Sequence, residues 1–523
     1  MQIIIVQSQE FDWATHVTGD NFEYGVKAIK DATGNTYVIG YTTGSPFEYE
    51  GISYPTNGNG GDAFFAKLDI NKELVWMKSI GGNDPNYHDE ALDIHMDPFE
   101  DVYLTFKSCS DDFTYDGQIL SDIDSPGQFS GEGVLLKVNS NGEYIWHDSG
   151  TTSSSFHGIT TDANGNLYLT GYFRSTITLG GAITLTNPST GTTKDLLVAK
   201  YQPDGTIIWA KNAGGMPHNS FAYGYDIEIN PQTNELIVLG KGNGEIFFDG
   251  VPMPLNGSIN KGTILISYNL DGTQNWVQRV LDEEYPGYSR CISLAISSSG
   301  ILGVCGRSPN TYSIGLVGFY NSDGSIVSEH TYPTTDLLRV YSITFNEFNE
   351  AYLSGFCKSD AILGISPGTV SLTSTTGFIV KMDIHQQVQW VMEFESSSFR
   401  NQVNYDQGEL LYAGRFDHKF FYNDGQDIIV NNTGDALFGE VVDNALSVET
   451  FLAEEITVYP NPTSGLLVIK ANTLQQVEIY SISGILLETT LNKEVDLSQY
   501  SKGIYFLKII TSKGIYQKKI ILK

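Results

Sequence analysis

The 523-residue chain carries 61 acidic against 30 basic side chains, a formal charge of −31, which argues against a nucleic-acid-binding role because a phosphate backbone needs a basic footprint. No apolar run approaches the ~20 residues of a membrane-spanning helix, and 54 Gly, 30 Tyr and 27 Phe favour strands and turns over helices. The charge is uneven: residues 456–523 sum to +4 and the remainder to −35, so two units with different tasks are expected.

Residues 1–10 have no basic stretch and only four consecutive apolar residues from Ile3. They read as the tail of a secretory signal peptide or as an ordinary disordered start. From Phe11 a repeat takes over. One strand of each unit ends in glycine, at Gly40, Gly171, Gly240, Gly306, Gly355 and Gly414, with Phe106 in the same place in a seventh copy. Tight turns such as DATGN (31–35) and DANGN (162–166) precede it, the chemistry that hairpins require. A second strand recurs as DAFFAKL (62–68), GVLLKV (133–138), DLLVAKY (195–201), TILISY (263–268), GLVGFY (315–320), GFIVKM (377–382) and DALFGEV (435–441). After another turn comes a tryptophan strand, with Trp76, Trp146, Trp209, Trp276 and Trp390; the strand around Ile326 and Val327 lacks one, and Trp13 stands alone at the start. All six tryptophans thus occupy one repeated position, which reads as packing between units.

Seven copies predict an all-β chain with a seven-bladed β-propeller over residues 11–444. The orphan strand Phe11–Val17 lacks what the orphan DALFGEV strand supplies, so their pairing is expected to close the ring and leave no open sheet edge. A string of separate sandwiches is the alternative, but units of ~60 residues are marginal alone. Residues 445–455 form an acidic linker. Residues 456–523 alternate apolar and polar positions between Gly, Pro, Asn and Ser, which predicts a small Ig-like β-sandwich of about seven strands.

The propeller repeat resembles those of exported bacterial proteins. Gly142, Gly205 and Gly272 each precede a tryptophan by four positions, similar to the tryptophan-docking motif of pyrroloquinoline quinone dehydrogenases and related outer-membrane assembly propellers. That resemblance implies docking by Trp146, Trp209 and Trp276. It does not extend to the cofactor, because no two of the four cysteines are adjacent. The C-terminal segment closely resembles the type A sorting domain of type IX secretion cargo in Bacteroidota. Tyr459, Pro460, Asn461 and Pro462 with Gly465 match the opening motif; Ile479, Tyr480 and Gly484 match the middle. Leu497, Gly503, Ile504, Tyr505 and the basic Lys518 and Lys519 match the close. The resemblance implies export, engagement with the type IX machinery and a secreted or outer-surface destination.

There is no HExxH, no P-loop and no GxGxxG after a strand. No catalytic, cofactor or metal-binding residue is therefore assigned, and no cofactor is expected. The densest acid and imidazole cluster is His88 and His95 with Asp84, Asp89, Glu90, Asp93 and Asp97, read mainly as a solvated acidic loop. Cys291 and Cys305 could face each other across a hairpin or stand as buried thiols. Long insertions (42–61, 107–132, 172–194, 241–261 and 416–434) fall on one face. Their aromatics Phe47, Tyr49, Phe113, Tyr115, Phe247, Phe248, Phe421 and Tyr422 suit a structural mini-hairpin first and a ligand platform second. The function expected is non-catalytic binding or adhesion to a glycan or protein ligand, the alternative being a secreted glycan hydrolase or lyase.

Overall fold

The computed structural model describes residues 11–57, 60–84, 87–110, 112–121, 131–150, 153–187, 193–215, 221–243, 246–248, 251–252, 262–281, 290–307, 314–334, 336–358, 360–366, 368–372, 376–395, 401–416, 419–421, 427–429, 434–443, 457–470, 474–481, 486–511 and 514–523. Among them every regular element is a strand. The chain divides into two compact units, Met1–Asp443 and Asn444–Lys523.

Among the described residues of the first unit, seven antiparallel sheets each have a four-stranded core. The first sheet runs Glu23–Lys30, Thr36–Thr42, Ala63–Leu68 and Leu74–Ile80 in both space and sequence. Its turns are set by side chains: an Asp31 oxygen accepts from the N–H groups of Thr33 and Asn35 at 3.0 and 2.9 Å, which is how aspartate stabilises a tight reversal. The middle strands are buried along their whole length at Thr36–Thr42. Such strands read as unbroken apolar runs because both sheet faces are covered.

The seventh sheet is assembled from both ends of this unit. Its order is Gln402–Asp406, Glu409–Phe416, Asp435–Val441 and then Phe11–Gly19, with Trp13 opposite Glu440 and Val17 opposite Ala436. The first strands of the sheets lie against one another in chain order, and that of the seventh meets that of the first. There Asn404 Nδ2 donates to Ala28 O at 3.1 Å and Lys30 N to an Asp406 carboxylate oxygen at 2.8 Å.

Neighbouring sheets are joined at the tryptophans. A Cβ on Gly142 would come within 2.9 Å of the Trp76 ring, and one on Gly205 within 2.9 Å of Trp146; Gly272 and Trp209 stand at 3.0 Å by the same measure. Each glycine therefore packs on the tryptophan of the preceding sheet, not on the one it precedes in sequence. The Trp146 indole N–H donates to Pro203 O at 2.9 Å and that of Trp209 to Leu270 O at 3.3 Å. Trp276 meets Gly324, Trp390 donates to Asp443 at 2.8 Å, and Trp13 of the seventh sheet carries the ammonium of Lys72, from the first, 5.3 Å above its ring.

A lysine from the third strand backs this joint. Lys67, Lys137 and Lys200 lie 3.7, 3.2 and 3.8 Å from Asp31, Asp97 and Asp162 and over the rings of Tyr37, Tyr103 and Tyr168. Each also donates to a carbonyl of the next sheet, at Ser140, Pro203 and Leu270, all at 3.2 Å. A charge this far from water is tolerable only when so paired.

The insertions form two-stranded hairpins. Phe47–Tyr49 extends the seventh sheet by pairing with Thr18 and Gly19, and Ile246–Phe248 extends the third by pairing with residues 213–215. Phe47, Tyr49, Phe113 and Tyr115 are buried, so they are core residues of these hairpins and present no ligand platform. Phe247 is half-buried; the side chains of Phe248 and Phe421, and all of Tyr422, lie outside what is described. Cys291 stands opposite Gly306 and Cys305 opposite Ser293: a bulge between Cys291 and Ser293 takes the cysteines out of register.

The second unit is two sheets. Thr457–Tyr459, Leu466–Lys470 and Glu494–Asp496 form one; Leu486–Thr490, Leu474–Ser481, Gly503–Thr511 and Gly514–Leu522 form the other. Leu467, Ile469, Val477, Ile479, Leu507 and Ile520 share its core.

Candidate binding site

The first strand of six sheets is bulged at one residue: Val26, Leu92, His157, Tyr225, Ile292 and Tyr341. A bulge re-aims a side chain out of the ladder. All six line a cavity of about 720 Å³ to which the first strands of all seven sheets contribute.

At the end of the cavity nearest the insertions, one register position recurs. Tyr24 faces Tyr41, Glu90 faces Lys107, Ser155 faces Tyr172, Tyr223 faces Lys241 and Arg339 faces Phe356. The second member of each pair is the residue directly after the repeated glycine position. Read through all seven sheets it is Tyr41, Lys107, Tyr172, Lys241, Arg307, Phe356 and Arg415, every one aromatic or cationic. Tyr41, Lys107, Tyr172 and Arg307 line the cavity. This spacing was legible in the sequence, but attention to the glycine and to the insertion centres passes over it. The insertions reach the cavity by their ends.

Lys194, the last residue of the third insertion, lies 3.6 Å from the centre of the Tyr172 ring and 5.3 Å from that of Tyr223. Burial, with the like charges of Arg174 and Lys107, pulls its ammonium down to about 8. Arg174 Nε is buried without a hydrogen-bond partner among the described residues. Arg339 donates to the Tyr341 hydroxyl and Arg415 to that of Tyr24, both at 3.1 Å. The mouth is thus lined by Lys107, Lys194, Arg307 and Arg339 among tyrosines, with Glu90 opposite Lys107.

Deeper along the same strands lie Lys27, Asp93, Asp226 and Glu228. Lys27 Nζ pairs with Asp93 at 2.7 Å; burial alone would lower it, but the Asp93 charge and hydrogen bond hold it above the usual lysine range. Burial, with the neighbouring Asp93 charge, pushes Asp226 up to about 7. Burial and Asp226 push Glu228 up to about 8. These acids are tied between sheets: Asp93 accepts from Ile159 N at 3.1 Å, Asp226 from Leu294 N at 2.8 Å, and Glu228 from Thr160 Oγ1 at 3.3 Å.

The histidine and acid cluster read from the sequence is dispersed. His88 stacks on Tyr41 and lies 3.5 Å from Glu90. His95 meets Thr161 Oγ1 at 3.0 Å, and burial with the Lys27 charge pushes it down to about 3. Asp84 is buried. Asp89 accepts from Gly82 N and Cys109 N at 2.9 and 2.7 Å and from Ser110. Asp97 fixes the turn to Phe99 and Asp101. Among the described residues no three His, Cys, Asp or Glu could hold a metal ion.

In the second unit Tyr459, Pro460, Asn461 and Pro462 are exposed. Asn461 clamps this segment to the last strand, donating to Lys519 O at 2.7 Å and accepting from Ile521 N at 3.0 Å. Gly465 is buried at φ 153°, where a Cβ would meet Ser498 at 2.9 Å. Gly503, Lys518 and Lys519 are exposed, and Tyr505 is buried with its hydroxyl donating to Ser501 O at 2.6 Å. Gly484 lies outside the described residues.

Residues 457–523 match the family of secretion system C-terminal sorting domains. With that tail on an all-β repeat unit, the chain is an exported protein, secreted or carried to the cell surface. Over 273 residues, 46% of the chain, it is 24% identical to a WD repeat-containing protein of Acanthamoeba polyphaga mimivirus, spanning 19% of that protein's length. Two crystal structures of proteins of unknown function are similar at low identity. One, from Bacteroides caccae, is 10% identical over 64% of this chain and 92% of its own, with a TM-score of 0.34. The other, from Dyadobacter fermentans, is 7% identical over 83% of this chain and 100% of its own, with a TM-score of 0.41.

Proposed function

We propose that the seven sheets are the blades of a closed β-propeller exported by the type IX system, and that the central cavity is a non-catalytic binding site for an extracellular glycan or protein. The observation that carries this reading is the mouth: Lys107, Lys194, Arg307 and Arg339 stand among tyrosines around one cavity. Convergent polar groups in a preformed cavity are the usual mark of a ligand site. In this reading the six tryptophans are blade-to-blade joints. Tyr459–Pro462, Gly465, Gly503, Tyr505, Lys518 and Lys519 form the surface and frame that the secretion machinery reads, with Gly484 part of the same sequence motif. Screening the purified chain against glycan arrays and matrix proteins tests it; Arg307→Ala should remove the hits, and an empty screen would refute binding.

A glycan hydrolase or lyase is favoured by one feature, the raised Asp226 and Glu228 carboxyls, since a protonated acid at neutral pH can donate to a leaving group. Backbone and hydroxyl donors occupy these acids, which favours a structural role. New reducing or unsaturated ends released by the wild-type chain and lost in Glu228→Gln would reverse that preference.

A further inference from the structure

Resting on the binding reading above, we infer that the ligand is an acidic glycan whose carboxylates enter among Lys107, Lys194, Arg307 and Arg339 while its sugar rings pack beside the mouth tyrosines. The repeat unit and linker together sum to −35, yet three of the chain's seven arginines, Arg307, Arg339 and Arg415, meet at this mouth or at its tyrosines. Gathering cations in one cavity costs mutual repulsion, visible in Lys194, whose charge is opposed by Arg174 and Lys107. A bound anion relieves that repulsion, and a cavity with low-dielectric walls focuses the attraction.

The tyrosines decide between anions. Tyr24, Tyr41, Tyr172 and Tyr223 stand at the same register level as these cations, and amphipathic rings beside a positive charge suit a carboxylate carried on a sugar better than a bare inorganic ion. The volume of about 720 Å³ is that of a small-ligand site; it admits a glycan end and is far too small for a folded partner. The −35 summed over the repeat unit and linker also disfavours a long polyanion lying across the protein, so the end of the glycan, not its middle, is the element recognised.

Calorimetric titration of the full chain with trigalacturonate, neutral galactotriose and an acidic hexapeptide, at low and moderate salt, tests this. Trigalacturonate should bind at pH 6.5, weaken at least tenfold in Lys194→Met and in Arg307→Gln, and weaken again at pH 9. Unchanged melting temperatures in both variants would assign the loss to the site. Equal binding of galactotriose would overturn acidic selectivity while leaving the ligand site intact. Binding of the hexapeptide alone would overturn the glycan. Silence from all three probes overturns the inference, and the array screen then decides separately whether the binding reading survives.

Discussion

Lys194 and Gly205 show how much a single residue can depend on another sheet. Nothing near Lys194 in sequence marks it; its depressed ammonium arises from burial and from residues twenty and eighty-seven positions earlier, Arg174 and Lys107. Because its pKa lies near 8, the positive form is present below that pH and lost above it. Anion affinity should therefore fall between about pH 7 and 9 in the wild type, and in Lys194→Met the fall should shrink by titration to the part that Asp226 and Glu228 contribute as they ionise. Gly205 adopts φ 88° and faces Trp146. Gly205→Ala therefore combines backbone strain with a ring clash and should cost roughly 1–3 kcal/mol in denaturant unfolding. Trp146→Ala, which empties the same joint and removes the bond to Pro203, should cost about 3 kcal/mol or more. The repeated tryptophan and glycine were visible in the sequence. That each glycine serves the preceding sheet was not, because spacing within one repeat does not say which neighbour a ring faces.

At the scale of elements, the strand Phe11–Gly19 is the informative one. It supplies the outer strand of a sheet whose other members lie some four hundred residues later. A chain lacking residues 11–19 would expose the edge of Asp435–Val441 and uncover Phe438 and Leu437. Such a truncation should give aggregated or poorly folded protein in gel filtration, because an unpaired flat edge recruits other chains. Alternation and turn chemistry made the strands themselves readable. The bulges at His157, Tyr225 and Tyr341 were hidden, since an extra residue in a strand leaves no compositional mark. Those bulges are what aim side chains into the cavity, so the site was the least legible part of the fold.

For the whole molecule, the balance of buried groups sets a pH dependence. Burial, with the Asp435 charge, pushes Glu23 up to about 8, and burial with Asp89 pushes Asp62 up to about 7; Asp226 and Glu228 are raised as far. Between the ordinary carboxylate range and pH 8 the folded chain thus holds protons that the unfolded chain has lost, so stability falls as pH rises through that window. His95, held down to about 3, acts oppositely below its ordinary value and weakens the fold in acid. The melting temperature should be highest near pH 5, just above the ordinary carboxylate range, and decline toward pH 8.5, and Glu228→Gln should flatten the decline. The sorting tail has its own core. A chain ending at Asp443 should keep the melting transition of the repeat unit yet remain inside the cells that export the full chain, as fractionation would report.

Sequence alone determined the strands, their repetition and the sorting tail, because each is written in local chemistry: alternation, turn residues, a recurring ring. Tertiary structure decided what the long insertions do and which side chains share the central cavity. Phe47 and Tyr115 went into cores, while Tyr24, Lys107, Lys194 and Arg307, scattered over nearly three hundred positions, came together around one cavity. Such a meeting depends on how sheets are ordered around one another, and no stretch of neighbouring residues carries that information.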